Sequence, residues 1–332
     1  QIISQIELGV WLPGDKLPSL REQVASSGMS FMTVGHAYQM LESQGRIVAR
    51  PQSGYYVASR PTAQQPAPPA QVMRDEAVDI NTYIFDVLQA SRDPSVVPFA
   101  SAFPDPRLFP LQQLNRSLAN VSKTATAMSV IENLPPGNVD LRHAIARRYA
   151  QQGMNISPEE IVITAGALEA LNLSLQAVTE PGDWVIVENP CFYGALQALE
   201  RLKLKALSIA TDVREGIDLN ALEQALNEYP VKACWIMTNS QNPLGFTLNA
   251  EKKAQLVALL TQHNVPLIED DVYSELYFGR EKPLPAKAWD RQDMTLHCSS
   301  FSKCLVAGFR IGWVAAGKHA RRIQQLQLMS TL

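Results

Sequence analysis

Ser299-Ser300-Phe301-Ser302-Lys303, followed by Gly308, Arg310 and Gly312, is the stretch whose reading decides this chain. A lysine amine condenses with a carbonyl to give a Schiff base. Hydroxyls and a guanidinium a few residues away suit a phosphate on the same ligand, because arginine presents a rigid fork of donors. The pattern describes an anchoring site for a phosphorylated aldehyde. Taken alone it also describes an ordinary solvated, serine-rich loop. Its meaning depends on what lies upstream.

Upstream, apolar runs alternate with helical periodicity. Residues 161–164 lead into a helix over 167–177, and 184–187 into one over 193–202. Residues 234–237 precede a helix over 250–263, and 265–268 precede Asp270. Near-continuous apolar strands between helices predict a mainly parallel α/β sheet. Chemistry in such sheets sits on loops beyond the carboxyl ends of the strands, and those loops carry the informative residues. The first holds Gly166-Ala167-Leu168, small residues opening a helix whose N–H groups suit a phosphate. The second holds Cys191-Phe192-Tyr193, with an aromatic able to stack on a flat ring. The third holds Asn242-Pro243, an amide on a stiff turn, and the fourth runs from Asp270 to Tyr273, a carboxylate and a phenol. Acid, phenol, amide, aromatic, lysine and arginine together form the set that a phosphorylated pyridine aldehyde requires. The acid keeps the ring nitrogen protonated so that the ring draws electrons.

This succession resembles the fold-type I aminotransferases of class I/II, which use pyridoxal 5′-phosphate, over about residues 96–332. The resemblance implies that Lys303 is the catalytic, aldimine-forming lysine. It implies that Asp270, rather than its neighbour Asp271, pairs with the ring nitrogen, because the family spacing is Asp, two residues, then Tyr. Tyr273 and Asn242 would hold the ring oxygen and Phe192 the ring face. Gly166, Ala167, Leu168, Ser300, Ser302 and Arg310 would surround the phosphate. Two positions depart from the pattern: an active aminotransferase typically has a tyrosine near Asn133 and a glycine about where Ala102 stands. The family's small C-terminal domain would lie beyond Leu332. The chain also opens at Gln1 inside an amphipathic pattern, so sequence is expected to continue at both ends.

Residues 1–58 read differently. Ser19 is a helix N-cap with Glu22 three residues on, a capping box, and Gly28 ends that helix. Ser30 caps a second helix, with Val34, Ala37, Tyr38 and Leu41 at helical spacing and Gly45 at its end. Two β-rich pieces, 47–50 and 55–57, meet across Gln52-Ser53-Gly54 as a hairpin tip. Helix, helix and hairpin predict a winged helix-turn-helix. The strings PGDKLPSLREQVASSGMS, TVGHAYQMLESQG and RPQSGYYV resemble the GntR-type DNA-binding domain. That resemblance implies Ser19 and Arg21 at a DNA phosphate or base edge. It implies Thr33, Val34 and His36 on the exposed turn of the recognition helix, and Arg50, Ser53, Gly54 and Tyr55 on the wing. Hydroxyls, helix N-termini, arginine forks and one helix in the major groove are the usual means. The charge footprint is faint: Lys16, Arg21, Arg46 and Arg50 stand against Glu7, Asp15, Glu22 and Glu42, four minus four. Phe31 occupies a position where the family often carries a more polar residue.

Between the two lies a Pro/Ala/Gln-rich stretch, 59–79, with no apolar periodicity, which reads as an extended tether leading to a body over 80–332. The whole chain of 332 residues is 46% hydrophobic with net charge −3, so any DNA-binding surface must be local. Its four cysteines show no paired CxxC spacing, which indicates neither a disulfide framework nor a zinc site. Without a membrane-spanning run or a signal-peptide pattern, a soluble cytoplasmic protein is expected. A GntR-type winged helix joined to an aminotransferase-like body resembles the MocR subfamily of bacterial regulators. This implies a homodimeric transcription regulator that binds double-stranded operator DNA and senses pyridoxal phosphate, or an amino acid or amine effector, through Lys303. The alternative is a working aminotransferase with a vestigial head.

Overall fold

The computed structural model describes residues 2–58, 84–85, 89, 93, 95, 97, 102, 104–130 and 134–330. The chain divides into two compact units, Gln1–Ala67 and Pro68–Leu332. The tether read from the sequence at 59–79, and Asn133, lie outside the described residues.

In the first unit, α1 (Ile2–Glu7), α2 (Leu20–Ser27) and α3 (Phe31–Ser43) precede a hairpin of β1 (Ile47–Arg50) and β2 (Gly54–Val57). Local chemistry sets the helix ends. Ser19 N–H donates to Glu22 Oε2 at 2.7 Å and Glu22 N–H returns to Ser19 Oγ at 3.3 Å, closing the capping box. Gly28 ends α2 at φ +69°, in the left-handed region that glycine enters without a Cβ clash. Val34, Tyr38 and Leu41 then fall on one stripe of α3 and bury against Leu17, Ile47 and Val57. Tyr38 is buried with its hydroxyl satisfied by Pro18 O at 2.9 Å.

The second unit is built on an eight-stranded sheet in the order β3-β10-β9-β8-β7-β4-β5-β6. These strands are β3 (Ile161–Thr164), β4 (Trp184–Asn189), β5 (Lys205–Asp212), β6 (Gly216–Ile217), β7 (Val231–Ile236), β8 (Leu267–Asp270), β9 (Thr295–Ser300) and β10 (Gly312–Ala315). Strands β9, β8, β7, β4 and β5 run parallel. β10 is antiparallel to both β9 and β3, and β6 to β5. Its helices are α4 (Leu111–Thr124), α5 (Val139–Gln151), α6 (Ala167–Val178), α7 (Tyr193–Arg201), α8 (Leu219–Glu228), α9 (Ala250–Gln262) and α10 (Ala320–Ser330).

Alternation along the strands feeds two cores. Val185, Val187, Trp235 and Ile268 pack with Leu171 and Leu175 of α6 and Ile323 of α10. The residues between them, Ile186, Cys234, Ile236 and Leu267, pack with Leu222 of α8 and Leu256 and Leu260 of α9. A sheet covered on both faces leaves the carboxyl ends of its parallel strands open as a site. Among the described residues no helix is long and apolar enough to cross a membrane.

One expectation needs correction here. The serine-rich stretch is not a loop from its start: Ser299 and Ser300 end β9, and the turn begins at Phe301. Pleating sends the two hydroxyls to opposite faces. Ser299 Oγ donates to Asp271 O at 2.9 Å, whereas Ser300 lines a cavity on the α6 side.

Candidate functional site

That cavity has a volume of about 570 Å³. Asp270 from the end of β8, Asn242 from the loop after β7, Phe192 from the loop after β4, and Tyr273, Ser300, Ser302, Lys303 and Arg310 all line it. Ala167 and Leu168 close it at the N-terminus of α6. Gly166 is behind them at φ +101°, where a Cβ would sit 2.3 Å from Arg310 Nη2, so only glycine leaves that guanidinium its place. Arg310 Nη2 donates to Ala165 O at 3.0 Å. Gly312 answers the same need from β10, since its Cβ would meet Gly166 C at 2.4 Å. α6 begins without a side-chain cap hydrogen bond, so its first N–H groups have no capping oxygen.

The site is defined by polar atoms left without partners. Asp270 is 1% exposed, and its Oδ1 has no hydrogen-bond partner among the described residues. Burial pushes its carboxyl up to about 7, the charge of Asp271 adds to this, and the charge on Lys303 opposes it. Ser302 is buried, and its Oγ also lacks a partner. Burial pulls the Lys303 amine below the ordinary lysine range; Asp270 works against that and Arg310 with it. Lys303 Nζ donates to Ala102 O at 2.9 Å and lies 5.6 Å from the centre of the Tyr273 ring. Burial, with Asp270 beside it, pushes the Tyr273 phenol up to about 12, so it stays protonated and can donate; a hydrogen bond with Asn242 offsets part of the rise.

Asp271 is in the opposite condition. It accepts from Asn239 Nδ2 at 2.9 Å and from His297 Nε2 at 3.0 Å. Behind His297 the bonds continue: Trp313 Nε1 donates to Tyr149 OH at 2.9 Å, and Tyr149 OH lies 2.6 Å from His297 Nδ1. Indole nitrogen is a donor only, so the tyrosine oxygen accepts from Trp313, and the hydroxyl and Nδ1 share one further hydrogen bond. On the other side Lys253 Nζ donates to Asn239 Oδ1 and to Leu284 O. The sequence reading missed this chain of bonds. Only the alternation of β9, with His297 and Ser299 on one face and Cys298 and Ser300 on the other, signalled it. Leu171, Met237 and Val272, which give the cavity an apolar wall, were also missed. Among the described residues, no group of His, Cys, Asp or Glu could hold a metal ion.

In the first unit one sequence assignment fails. Val34 is 4% exposed and belongs to the core, because it shares the inward stripe of α3 with Tyr38 and Leu41. Tyr55 lies on the wing strand β2, half-buried, with its ring edge-on to Tyr38 at 5.0 Å between centroids. The outward aromatic of the wing is Tyr56: Arg50 stacks over its ring at 4.2 Å, and Ser53 Oγ is 2.7 Å from its hydroxyl. Arg21, Thr33, His36, Arg50 and Gly54 are exposed, while the Ser19 hydroxyl is engaged in the capping box.

The count of four bases against four acids stands in the fold, because a carboxylate that accepts from a backbone N–H keeps its charge. Glu22 and Glu42 accept from Ser19 N and Ala49 N, Asp15 from Leu12 N, and Glu7 pairs with Arg46 at 3.7 Å. Lys16, Arg21 and Arg50 form no salt bridge among the described residues, and the charge of Lys16 acts on Glu22.

Comparison with known proteins agrees with this division. The sequence model of the family "Aminotransferase class I and II" matches residues 110–332, and that of "Bacterial regulatory proteins, gntR family" matches residues 1–57. The chain is 84% identical over its whole length to the uncharacterized HTH-type transcriptional regulator YdcR of Escherichia coli, of which it spans 71%. It is 37% identical over 98% of its length to a second such regulator of that organism, YjiR, spanning 70% of it. Among solved structures it is similar to the kynurenine aminotransferase of Pyrococcus horikoshii, in complex with PMP, with TM-score 0.68 and 28% identity. That match covers 75% of this chain and 63% of the other, so the chain spans less than two thirds of that enzyme. The chain therefore belongs to the aminotransferase class I and II family and, with a gntR-type helix-turn-helix ahead of that domain, to the transcriptional regulators of MocR type.

Proposed function

We propose that this regulator holds pyridoxal 5′-phosphate in the Lys303 cavity and passes the state of that site to its DNA-binding head. One observation carries the reading: Asp270 and Ser302, each with a buried side-chain oxygen that has no partner among the described residues, line the same cavity as Lys303. Buried polar atoms without partners are costly. A ligand with a protonated ring nitrogen at one end and a phosphate at the other meets both needs. When bound, pyridoxal phosphate supplies an aldehyde for an amine and a ring that draws electrons. Asp270 would hold the ring nitrogen, with a cation beside it restoring the carboxylate that burial disfavours. Tyr273 and Asn242 would hold the ring oxygen and Phe192 the ring face. The N–H groups of Ala167 and Leu168, with Gly166, Ser300, Ser302 and Arg310, would take the phosphate.

Lys303 would carry the signal. Its amine donates to the carbonyl of Ala102. A ligand that takes this amine takes a donor from Ala102. Coupling between sites requires such a difference in contacts between two states. An amino acid or amine that competes for the ligand would return the amine to Ala102. The head would bind operator DNA through Arg21, Thr33, His36, Arg50, Ser53 and Gly54, as a homodimer on paired half-sites in the cytoplasm.

Adding pyridoxal phosphate to the purified chain tests the first step. A visible absorption band is expected in the wild type and not in Lys303→Ala; no band in saturated wild type ends the reading. Operator affinity tests the second. If it is the same in Lys303→Ala, and is moved by no amine that changes the band, the site and the head are not coupled.

A further inference from the structure

The head presents an apolar surface that its own core does not use. Along α3 the buried Val34, Tyr38 and Leu41 define the inward stripe. Met32, His36, Gln39 and Ser43, at steps of four, three and four, form the ridge opposite to it. Met32 opens that ridge and is 82% exposed; Phe31 beside it is 53% exposed. Large apolar side chains held in water at the leading turn of a helix mark a contact surface.

Three observations identify what covers it. Lys16, Arg21 and Arg50 are exposed and form no salt bridge among the described residues, so each is placed to meet a phosphate. Behind Met32 the same ridge carries His36 and Gln39, side chains that can hydrogen-bond base edges. Arg50 on the wing is held by the Tyr56 ring.

Resting on the reading that this head binds operator DNA, we infer that Met32 and Phe31 read thymine through its 5-methyl group in the major groove. Thymine alone among the bases offers an apolar group on that edge. Guanine's acceptors need a donor, which neither side chain has. Methionine, unbranched and polarisable, adapts its shape to a methyl.

The test begins with the full chain selecting from a pool of random-sequence duplexes. Each thymine of the selected duplex is then replaced singly by deoxyuridine, which removes the methyl and nothing else. The expected result is a thymine at a fixed place in each half-site, where deoxyuridine lowers affinity about three- to fourfold. Met32→Ala combined with Phe31→Ala should bind the two duplexes alike, and Met32→Leu should restore the difference. Binding of the alanine variant to random duplex at low salt should be unchanged, which shows that the head is still folded. The inference is overturned if deoxyuridine is silent at every selected thymine, or if the alanine variant discriminates as the wild type does. A wild-type chain that selects no sequence at all overturns the DNA-binding reading and this inference with it. A selected motif without methyl sensitivity overturns this inference alone.

Discussion

At the end of β8 the two faces of the sheet are finished by adjacent carboxylates, and they are finished differently. Asp271, 2% exposed, is bonded through both oxygens, to Asn239 and to His297, and the bonds run on to Trp313 and Lys253. Asp270, 1% exposed, has an oxygen with no partner, on the side where Lys303 and Ser302 stand. Burial costs a carboxylate the same solvation on either face. On the Asp271 face the protein offsets that cost itself and gains rigidity. On the Asp270 face the cost remains until something else supplies a donor. A self-satisfied face beside an unsatisfied one is the arrangement expected of a frame and the site it holds.

Removing the frame should have the largest effect. Asp271→Ala leaves His297 Nε2 and Asn239 Nδ2 without partners and should lower stability by about 3–5 kcal/mol in denaturant unfolding. A loss below about 1 kcal/mol would show that this face does not depend on its bonds.

Asp270→Asn should act in the opposite direction. The Asp270 carboxyl is raised from 3.8 to about 7 in the fold, so the protonated form is the favoured one there. Its cost is absent below the unfolded value, grows as pH rises from about 4 to 7, and is complete above 7. At pH 8 the asparagine variant without ligand should be more stable than the wild type by about 1–3 kcal/mol, after the cost of burying its amide. At pH 4, where the wild type carries no such cost, only the cost of the amide remains and the variant should be the less stable of the two. Its affinity for pyridoxal phosphate should fall at least tenfold, so stability and binding move apart. A variant destabilised at pH 8 would place Asp270 in the frame.

The smallest effect should come from Tyr149→Phe, which removes one hydroxyl between Trp313 and His297 and should cost about 1–2 kcal/mol. Ligand affinity should change less than in Asp270→Asn. A larger loss of affinity than of stability would mean that the two faces act as one.

Much of this was legible in the chain. The capping box at Ser19, the stop at Gly28 and the alternation of apolar strand with helix are local signals, and each gave the element it announced. Lys303, Asp270, Tyr273, Asn242 and Phe192 follow strand ends or open turns, so their order along the chain anticipated the cavity that gathers them. Other features were hidden. β9 and β10 were obscured because hydroxyls and glycines, which also make turns, supply their ends. Val34 was assigned to the DNA-facing surface by its place in a motif, whereas burial follows the face of a helix.

By itself the sequence determined which groups are present and in what order they reach the ends of the strands, because caps, turns and hydrophobic period act over a few residues. Tertiary structure alone decided which of two neighbouring aspartates meets partners and which meets a cavity. Pleating turns successive side chains to opposite faces, and the order of strands in the sheet, set by contacts far apart in the chain, determines what each face holds.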